Sequence, residues 1–441
     1  MKRLLSLLLC AVLALFCATT AQAAGVSITL TASEYALHYA FDAGAQDPFV
    51  ILEYATPAEK GWMMLYSADG HFEGDVSLAY SGAGGKTSVA LTSARTTGSI
   101  GKASTTLPKA ADYQKPTGKS NVKVTDFVLT ETPEGFHYAF NAIGTDYMLL
   151  YWRSKEQTVT QPVYPDENGH YEGDVISDLT FARTQFTVQV KSGSGSMKKE
   201  ATVRKGYQAP EAPQRQEGRL SGVTVCIDAG HQENGRFVNE PIGPGLTGST
   251  SGKGGMAQGT KTNRRESIVC LEIGMLLRDE LLRQGANVIM TREDQTTFHT
   301  NIERCEIAEA GGAQIMLRLH CNNSSNRSKR GIQVYGPLNS DYAKAVADAD
   351  TYREMGQQLL DAMKTRVGMT LANSTGMVRL NDNYVGNNWA KMMCFLVEMG
   401  YLSNPAEEYL LVTPVYQQWL AEGMADGVYE IAVARGWVQA Q

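Results

Sequence analysis

The sequence predicts an α/β C-terminal domain, with a mixed, largely parallel sheet under covering helices, preceded by two β-sandwich repeats of the immunoglobulin or fibronectin kind. Three observations carry this. First, the N-terminal half repeats itself: "LHYAFDAG" at 37–44 returns as "FHYAFNAI" at 136–143, and "DGHFEGDV" at 69–76 as "NGHYEGDV" at 168–175. Second, short alternating runs such as "VSITLTA", "VKVTDFVLT" and "TQFTVQV" surround these anchors, broken by Gly, Asp and Asn turns and without helical periodicity. That pattern is the signature of half-buried antiparallel strands. Third, from about residue 221 strand-like runs ("VTVCI", "NVIMT", "AQIMLRL", "IQVYG", "MCFLV") alternate with helical ones such as "SIVCLEIGMLLRDELLRQG". Such alternation builds a sheet covered by helices.

Taken in order, residues 1–23 read as a secretory signal peptide. Lys2 and Arg3 precede the apolar run "LLSLLLCAVLALFCA", and Ala21-Gln22-Ala23 offers a small-residue cleavage site. The run is short for a membrane anchor, and no later stretch approaches the ~20 apolar residues of a transmembrane helix. An exported protein is expected: extracellular or wall-associated, or periplasmic if the source cell has an outer membrane. Cleavage would take the formal charge from −6 to −8, because Lys2 and Arg3 leave without an acid. Nothing in this balance suggests nucleic acid, whose binding rests on basic patches.

The first repeat is placed at 24–110 and the second at 120–205. Their paired histidines (His38 with His137, His71 with His170) stand beside aromatics at turn-to-strand steps, and read as structural rather than as a metal site. Trp62 and Trp152 are either core aromatics or sugar-stacking platforms. The repeats are accessory, holding a cell-wall or protein ligand that the sequence does not name. "GYQAPEAPQRQEGRL" at 206–220 is a linker, since its prolines restrict the chain and little in it could be buried. The remainder, 221–441, is the catalytic domain, closed by an amphipathic helix over Tyr416 to Val433. Cys226, Cys270, Cys305, Cys321 and Cys394 all fall within it. An odd number at irregular spacing inside apolar runs makes a poor disulfide framework, so buried free thiols are expected.

Three apolar runs of this domain end in a chemically useful side chain: "VTVCID" leads to His231, "QIMLRL" ends in His320 and "MMCFLV" in Glu398. Ligands of open α/β sheets bind beyond the carboxyl ends of the strands, where such residues converge. Glu266 opens a helix whose face carries Val269, Ile273, Leu276 and Leu277. By itself Glu266 also fits a capping box with Asn263, three residues before it; His231 alone fits a hydrogen-bonded loop residue and His320 a neutral core histidine. Together, two histidines and a glutamate form a donor set for catalytic zinc that leaves a fourth position for water. Glu398 is harder to dismiss as structural, because an unpaired buried carboxylate costs several kcal/mol or gives up its charge.

"VCIDAGHQ", "NRRES", "GANVIMTRED", "NIERCEIA", "LRLHCNN", "GIQVYGP" and "FLVEMGYLSNPAEEYLL" resemble, in order and approximate spacing, the zinc-dependent N-acetylmuramoyl-L-alanine amidases. The resemblance covers roughly 222–436. It implies Zn²⁺ held by His231, Glu266 and His320, with Glu398 as catalytic carboxylate. It also implies hydrolysis of peptidoglycan between N-acetylmuramic acid and the L-alanine of the stem peptide. The chain departs from the family's pattern in "QENGRFVNEPIGPGLTGSTSGKGGMAQGTKTN" at 232–263, a Gly- and Ser-rich segment expected to be mobile and to border the substrate groove. Two alternatives stand beside this reading: a zinc peptidase cutting within the stem peptide, and a wall-binding protein with an inactive domain.

Overall fold

The computed structural model describes residues 18–22 and 26–440, apart from 35, 59, 79–80, 112–121, 133–134, 144–147, 155–157, 164, 177–183, 193–195, 206–208, 234–237, 251–254 and 369–376. Most of the expected signal peptide thus lies outside the described residues. Ala18–Gln22, however, forms strand β1, paired antiparallel with β2 (Ser27–Ser33).

In the first repeat, β1, β2, β3 (Ala36–Asp42) and β6 (His71–Ser77) form one antiparallel sheet. β4 (Phe49–Ala55), β5 (Lys60–Tyr66), β7 (Gly85–Ser93) and β8 (Ser99–Leu107) form the other, in the order β5-β4-β7-β8. Alternation along each strand sends every second residue inward. Leu30, Leu37, Phe41, Leu52, Phe72 and Leu91 accordingly meet in one core shared by both sheets.

The second repeat has the same plan. β9 (Lys123–Thr132), β10 (Gly135–Ile143) and β13 (His170–Ile176) face β11 (Met148–Arg153), β12 (Thr158–Val163), β14 (Thr184–Ser192) and β15 (Met197–Lys205) across a core that includes Phe136, Phe140, Trp152, Tyr171 and Phe186. Trp152 is therefore a core residue, whereas Trp62 is exposed. By contact density the first repeat is one compact unit, and the second repeat falls in another with the C-terminal domain.

Residues 209–217 have no regular structure and most are exposed. They are nevertheless tied to the helix that follows. Arg278 Nη1 donates to the Pro210 carbonyl at 3.2 Å, Gln216 N to the Leu282 carbonyl at 3.0 Å, and Arg215 Nη1 to the Gly285 carbonyl at 2.8 Å.

The C-terminal domain is built on six strands: β16 (Thr224–Ala229), β17 (Asn287–Met290), β18 (Ile315–Asn322), β19 (Gln333–Gly336), β20 (Met377–Leu380) and β21 (Met393–Tyr401). Their order is β17-β16-β18-β21-β19-β20, parallel at every step except β21 to β19, so the sheet is mixed and largely parallel. The helices are α1 (Glu266–Arg283), α2 (Asn301–Ala310), α3 (Asp341–Val346), α4 (Ala349–Val367), α5 (Val385–Trp389), α6 (Glu407–Leu410) and α7 (Pro414–Ala434).

One face of the sheet carries Cys226, Met316 and Cys394, which pack against Cys305 and Ala308 of α2 and Trp389 of α5. On the other side α7 packs against both α1 and α4. Close approach there depends on Gly427, where a Cβ would lie 2.8 Å from the Leu359 Cα. The five cysteines of this domain are all free and buried, as their irregular spacing suggested. Among the described residues no helix is long and apolar enough to cross a membrane.

Candidate metal centre

β16, β18 and β21 run parallel and end at the same edge. Their register pairs Ala229 with Leu319 and His320 with Glu398. His231 follows β16 by two residues, so the three side chains read from the strand ends come to one place. Glu266 reaches them from the first turn of α1. His320 Nδ1 lies 2.9 Å and His231 Nε2 3.1 Å from the same oxygen, Glu266 Oε1. The rings meet edge to face, with centroids 4.9 Å apart.

Each of the three residues supplies one donor atom, and these atoms lie within 4.8 Å of one another. Two imidazole nitrogens and a carboxylate oxygen are a donor set suited to zinc. Burial would raise the Glu266 pKa, but its contacts with His231 and His320 outweigh that and hold the carboxyl well below its usual range. Burial pushes the His320 pKa down, helped by His231 and opposed by Glu266, and so favours the neutral ring that can ligate a metal.

The capping-box alternative for Glu266 is not what forms. The N-cap of α1 is Arg265, with no side-chain capping bond, and the Asn263 side chain is engaged by Gln258 Nε2 at 2.6 Å. Glu266 is fixed from behind instead. Ala257 N donates to its Oε2 at 2.8 Å and Cys321 N to its Oε1 at 3.0 Å. Cys321 itself is buried, on the opposite face of β18 from His320.

The loop that carries His231 is strained and over-determined. His231 has φ +57, in the left-handed region that few non-glycine residues adopt. Gly230 before it leaves no space for a side chain: a Cβ would stand 2.6 Å from His320 Cε1 and 2.4 Å from the Leu319 carbonyl oxygen.

Two buried arginines hold this backbone. Arg292 donates to the carbonyls of Ala229 (2.7 Å), Gly230 (2.8 Å) and Ser267 (2.7 Å). Arg304 donates to those of Ala229 (2.9 Å) and His231 (3.2 Å). Arg304 and Arg318 both pair with Asp228, the buried acid two residues before Gly230, and Thr291 donates to the same carboxylate at 2.8 Å. Burial opposes ionisation of Asp228, but the two guanidiniums prevail and hold its pKa far below the ordinary value. Burial and the neighbouring charge of Arg304 push Arg292 down to about 9.

None of these five residues was assigned a role from the sequence. The available signals were Arg318, a charge in the middle of the buried run "IMLRL", and Asp228, a charge within the buried run "VCIDA".

Glu398 stands apart from these satisfied groups. Its Oε2 is buried and has no hydrogen-bond partner among the described residues. Burial first, and then the negative charge of Glu266, push its pKa well above the usual carboxylate range. It is a carboxyl group that favours holding a proton, one strand away from His320.

The segment 232–263 is not loose where it is described. Glu240 is buried and its carboxylate accepts from Asn301 N (3.2 Å) and Ile302 N (2.8 Å) at the start of α2. Trp389 Nε1 donates to the Pro241 carbonyl at 2.8 Å. Glu408 Oε2 accepts from Lys261 N (2.8 Å) and Thr262 N (3.1 Å). The expected mobility fails here because Glu240 of the segment ties it to the start of α2 and Glu408, from a distant part of the chain, anchors its end, although the composition is permissive.

Residues 225–430 match the profile of a known family, N-acetylmuramoyl-L-alanine amidase. The C-terminal domain belongs to that family. Among relatives of this amidase domain, a germination-specific N-acetylmuramoyl-L-alanine amidase of Bacillus subtilis is 26% identical over 231 residues, spanning 49% of this chain and 83% of that protein. A probable cell wall amidase, LytH, of Staphylococcus aureus is 27% identical over 218 residues, spanning 48% of this chain and 60% of that protein. A solved N-acetylmuramoyl-L-alanine amidase from Clostridium difficile 630 aligns with 48% of this chain and 96% of its own, at 23% identity and a TM-score of 0.38. The family match begins within β16, so residues before 225 lie outside it.

Proposed function

We propose that this protein is an exported, zinc-dependent peptidoglycan hydrolase that cuts the amide bond between N-acetylmuramic acid and the L-alanine of the stem peptide. The observation that carries the reading is Glu398, a proton-favouring carboxyl whose Oε2 has no partner among the described residues, one strand from the three-donor set of His231, Glu266 and His320. The donor set fits zinc in number, type and spacing, and three protein donors are the set that leaves zinc's fourth position to water or substrate. When bound there, zinc would supply Lewis-acid polarisation of the scissile carbonyl and acidify a water.

The protein's own residues supply the rest. His231, Glu266 and His320 fix the position, and Arg292 and Arg304 hold the His231 loop against its strain. An amide also needs a proton on its leaving nitrogen. Glu398 fits that need: as carboxylate it takes a proton from the attacking water, and as acid it gives the proton to the departing amine. The exclusion of other partners from its Oε2 keeps this oxygen available.

The leader at 1–23 supports export to where the polymer is, and the kinship with a probable cell wall amidase supports action at the wall. Cleavage after Ala23 would remove β1 and leave β2 as the edge of the first sheet. The two sandwiches serve as accessory modules that hold the enzyme on its insoluble substrate, raising local concentration.

The test is product analysis on purified peptidoglycan. New N-terminal alanine, abolished by a chelator, is the expected result. New amino termini on other residues would replace this reading with a stem-peptide peptidase. No cleavage at all would leave a wall-binding protein.

A further inference from the structure

The paired histidines of the β repeats are not structural residues of the core. In the first repeat, His38 and Asp42 of β3 share an outward face with His71, Glu73 and Asp75 of β6, and the register pairs His38 with Asp75 and His71 with Asp42. His38 Nδ1 lies 3.1 Å from Asp75 Oδ1, and His71 Nδ1 2.7 Å from Asp42 Oδ1. Both Nε2 atoms then turn to the central glutamate: His38 Nε2 is 3.4 Å from Glu73 Oε1 and His71 Nε2 3.7 Å from Glu73 Oε2.

The second repeat reproduces the row atom for atom. His137 Nδ1 is 2.9 Å from Asp174 Oδ1 and His170 Nδ1 2.8 Å from Asn141 Oδ1, while their Nε2 atoms stand 3.3 Å and 3.9 Å from Glu172. Where Asn141 replaces the acid of the first copy, its Nδ2 donates to Asp126 Oδ2 at 2.8 Å, which brings a carboxylate back.

Two features of these rows need an explanation beyond surface ion pairing. The first is retention. Between the copies the outward residues of β7 and β14 have all changed: Lys86 against Gln185, Ser88 against Thr187, Ala90 against Gln189, Thr92 against Lys191. On the histidine face, both histidines, the glutamate and the second aspartate are kept. Partly exposed side chains that no core requires have been held while the outward residues of the opposite sheet drifted.

The second feature is tautomer. A neutral imidazole has one donor nitrogen and one acceptor. With Nδ1–H given to an outer oxygen, Nε2 faces a carboxylate, and the contact is satisfied either by a second proton on the ring or by a cation held between the two. An outer carboxylate on Nδ1 is also how metal-binding histidines are fixed in orientation. In each row one nitrogen-to-oxygen gap, 3.4 Å in the first and 3.3 Å in the second, is close to the spacing of two ligands on one ion, about 3.3 Å for bonds of ~2.0 Å in a tetrahedron, while the other, 3.7 Å and 3.9 Å, is wider.

We propose that each β repeat binds a divalent transition-metal ion through its histidine–glutamate–histidine row: His38, Glu73 and His71 in the first, His137, Glu172 and His170 in the second. Imidazole with carboxylate selects ions of the zinc, cobalt and nickel type over calcium and magnesium, which take oxygen ligands. Among the described residues, only the His231 centre has three donor atoms already within 4.8 Å of one another. The rows are more open, and the exposed glutamate or either exposed ring turns to close on the ion. Their affinity is accordingly below that of the centre.

The test is equilibrium dialysis of the full chain against zinc, with bound metal counted by elemental analysis and the fold checked by circular dichroism. The parent chain should hold two ions more than Glu73→Gln with Glu172→Gln, and the amidase activity of that variant should be unchanged. His38→Gln with His137→Gln keeps every carboxylate and should lose the same two ions. Equal metal in parent and glutamine variants overturns the proposal; so does loss in the glutamate variant alone, which would mark carboxylate-only binding. His320→Ala removes the ion of the catalytic centre and leaves these two, so failure here and failure of the proposed activity are separate results.

Discussion

Asp228→Asn is predicted to be among the most damaging single substitutions outside the ligand set. The wild-type carboxylate is fully buried and pairs with Arg304 and Arg318, and it accepts from Thr291 at 2.8 Å. Asparagine keeps one acceptor oxygen but turns an NH₂ group toward a guanidinium. It leaves two buried positive charges uncompensated, with Arg292 close enough to feel Arg304.

Breaking a buried pair in this way costs about 3–5 kcal/mol. For a domain of 150–250 residues each kcal/mol shifts Tm by about 2–4 °C, so a loss of roughly 6–20 °C is expected. Scanning calorimetry of the full chain would read it in the endotherm of the amidase domain, leaving that of the first repeat in place.

The pH dependence has a fixed sign. The folded Asp228 pKa is depressed, so its contribution is present above the unfolded value near 3.8 and is lost as pH falls toward the folded value. Below about pH 4 the parent should therefore lose stability more steeply than the Asn variant. A variant within 1 kcal/mol of the parent at pH 7, the floor for a broken buried pair, would refute the reasoning.

Other outcomes follow from the same geometry. Glu408→Ala removes the acceptor of Lys261 N and Thr262 N, and should speed hydrogen exchange across 257–266; unchanged exchange at these amides would contradict the anchoring role. Gly427→Val drives a side chain into the Leu359 backbone and should cost about 1–3 kcal/mol in urea unfolding; a neutral effect would mean that α4 and α7 separate freely. A thiol reagent should find none of Cys226, Cys270, Cys305, Cys321 and Cys394 in the native chain and all five after unfolding; a fast-reacting native thiol would contradict the packing described.

The parts of this site that were legible in the sequence share one property: each is announced locally. A strand run that ends in His231, His320 or Glu398 shows both the element and the anomaly within ten residues. Parallel strands then bring the ends together without further information. Glu266 was legible only as one of two alternatives, since the choice between cap and ligand lay with Ala257 and Cys321 rather than with Asn263.

The arginine cradle was not legible, because guanidiniums that bind backbone carbonyls leave no pattern; Arg292 reaches Ala229 across 63 positions of sequence. Composition misled at 232–263, where Gly and Ser content says nothing about Glu240 or Glu408. The histidines of the repeats read as structural in the sequence for another reason. His71, Glu73 and Asp75 lie two residues apart in one strand and so share a face, but only the pairing of β3 with β6 shows what completes the row.

The central claim is a division of labour: His231, Glu266 and His320 hold zinc, and Glu398 moves the proton. The direct measurement compares bound zinc and turnover on purified peptidoglycan for the parent, Glu398→Gln and His320→Ala. The account predicts that Glu398→Gln binds as much zinc as the parent but loses about 10²–10⁴-fold in turnover, whereas His320→Ala binds one ion fewer. Turnover by Glu398→Gln at the parent rate would contradict it.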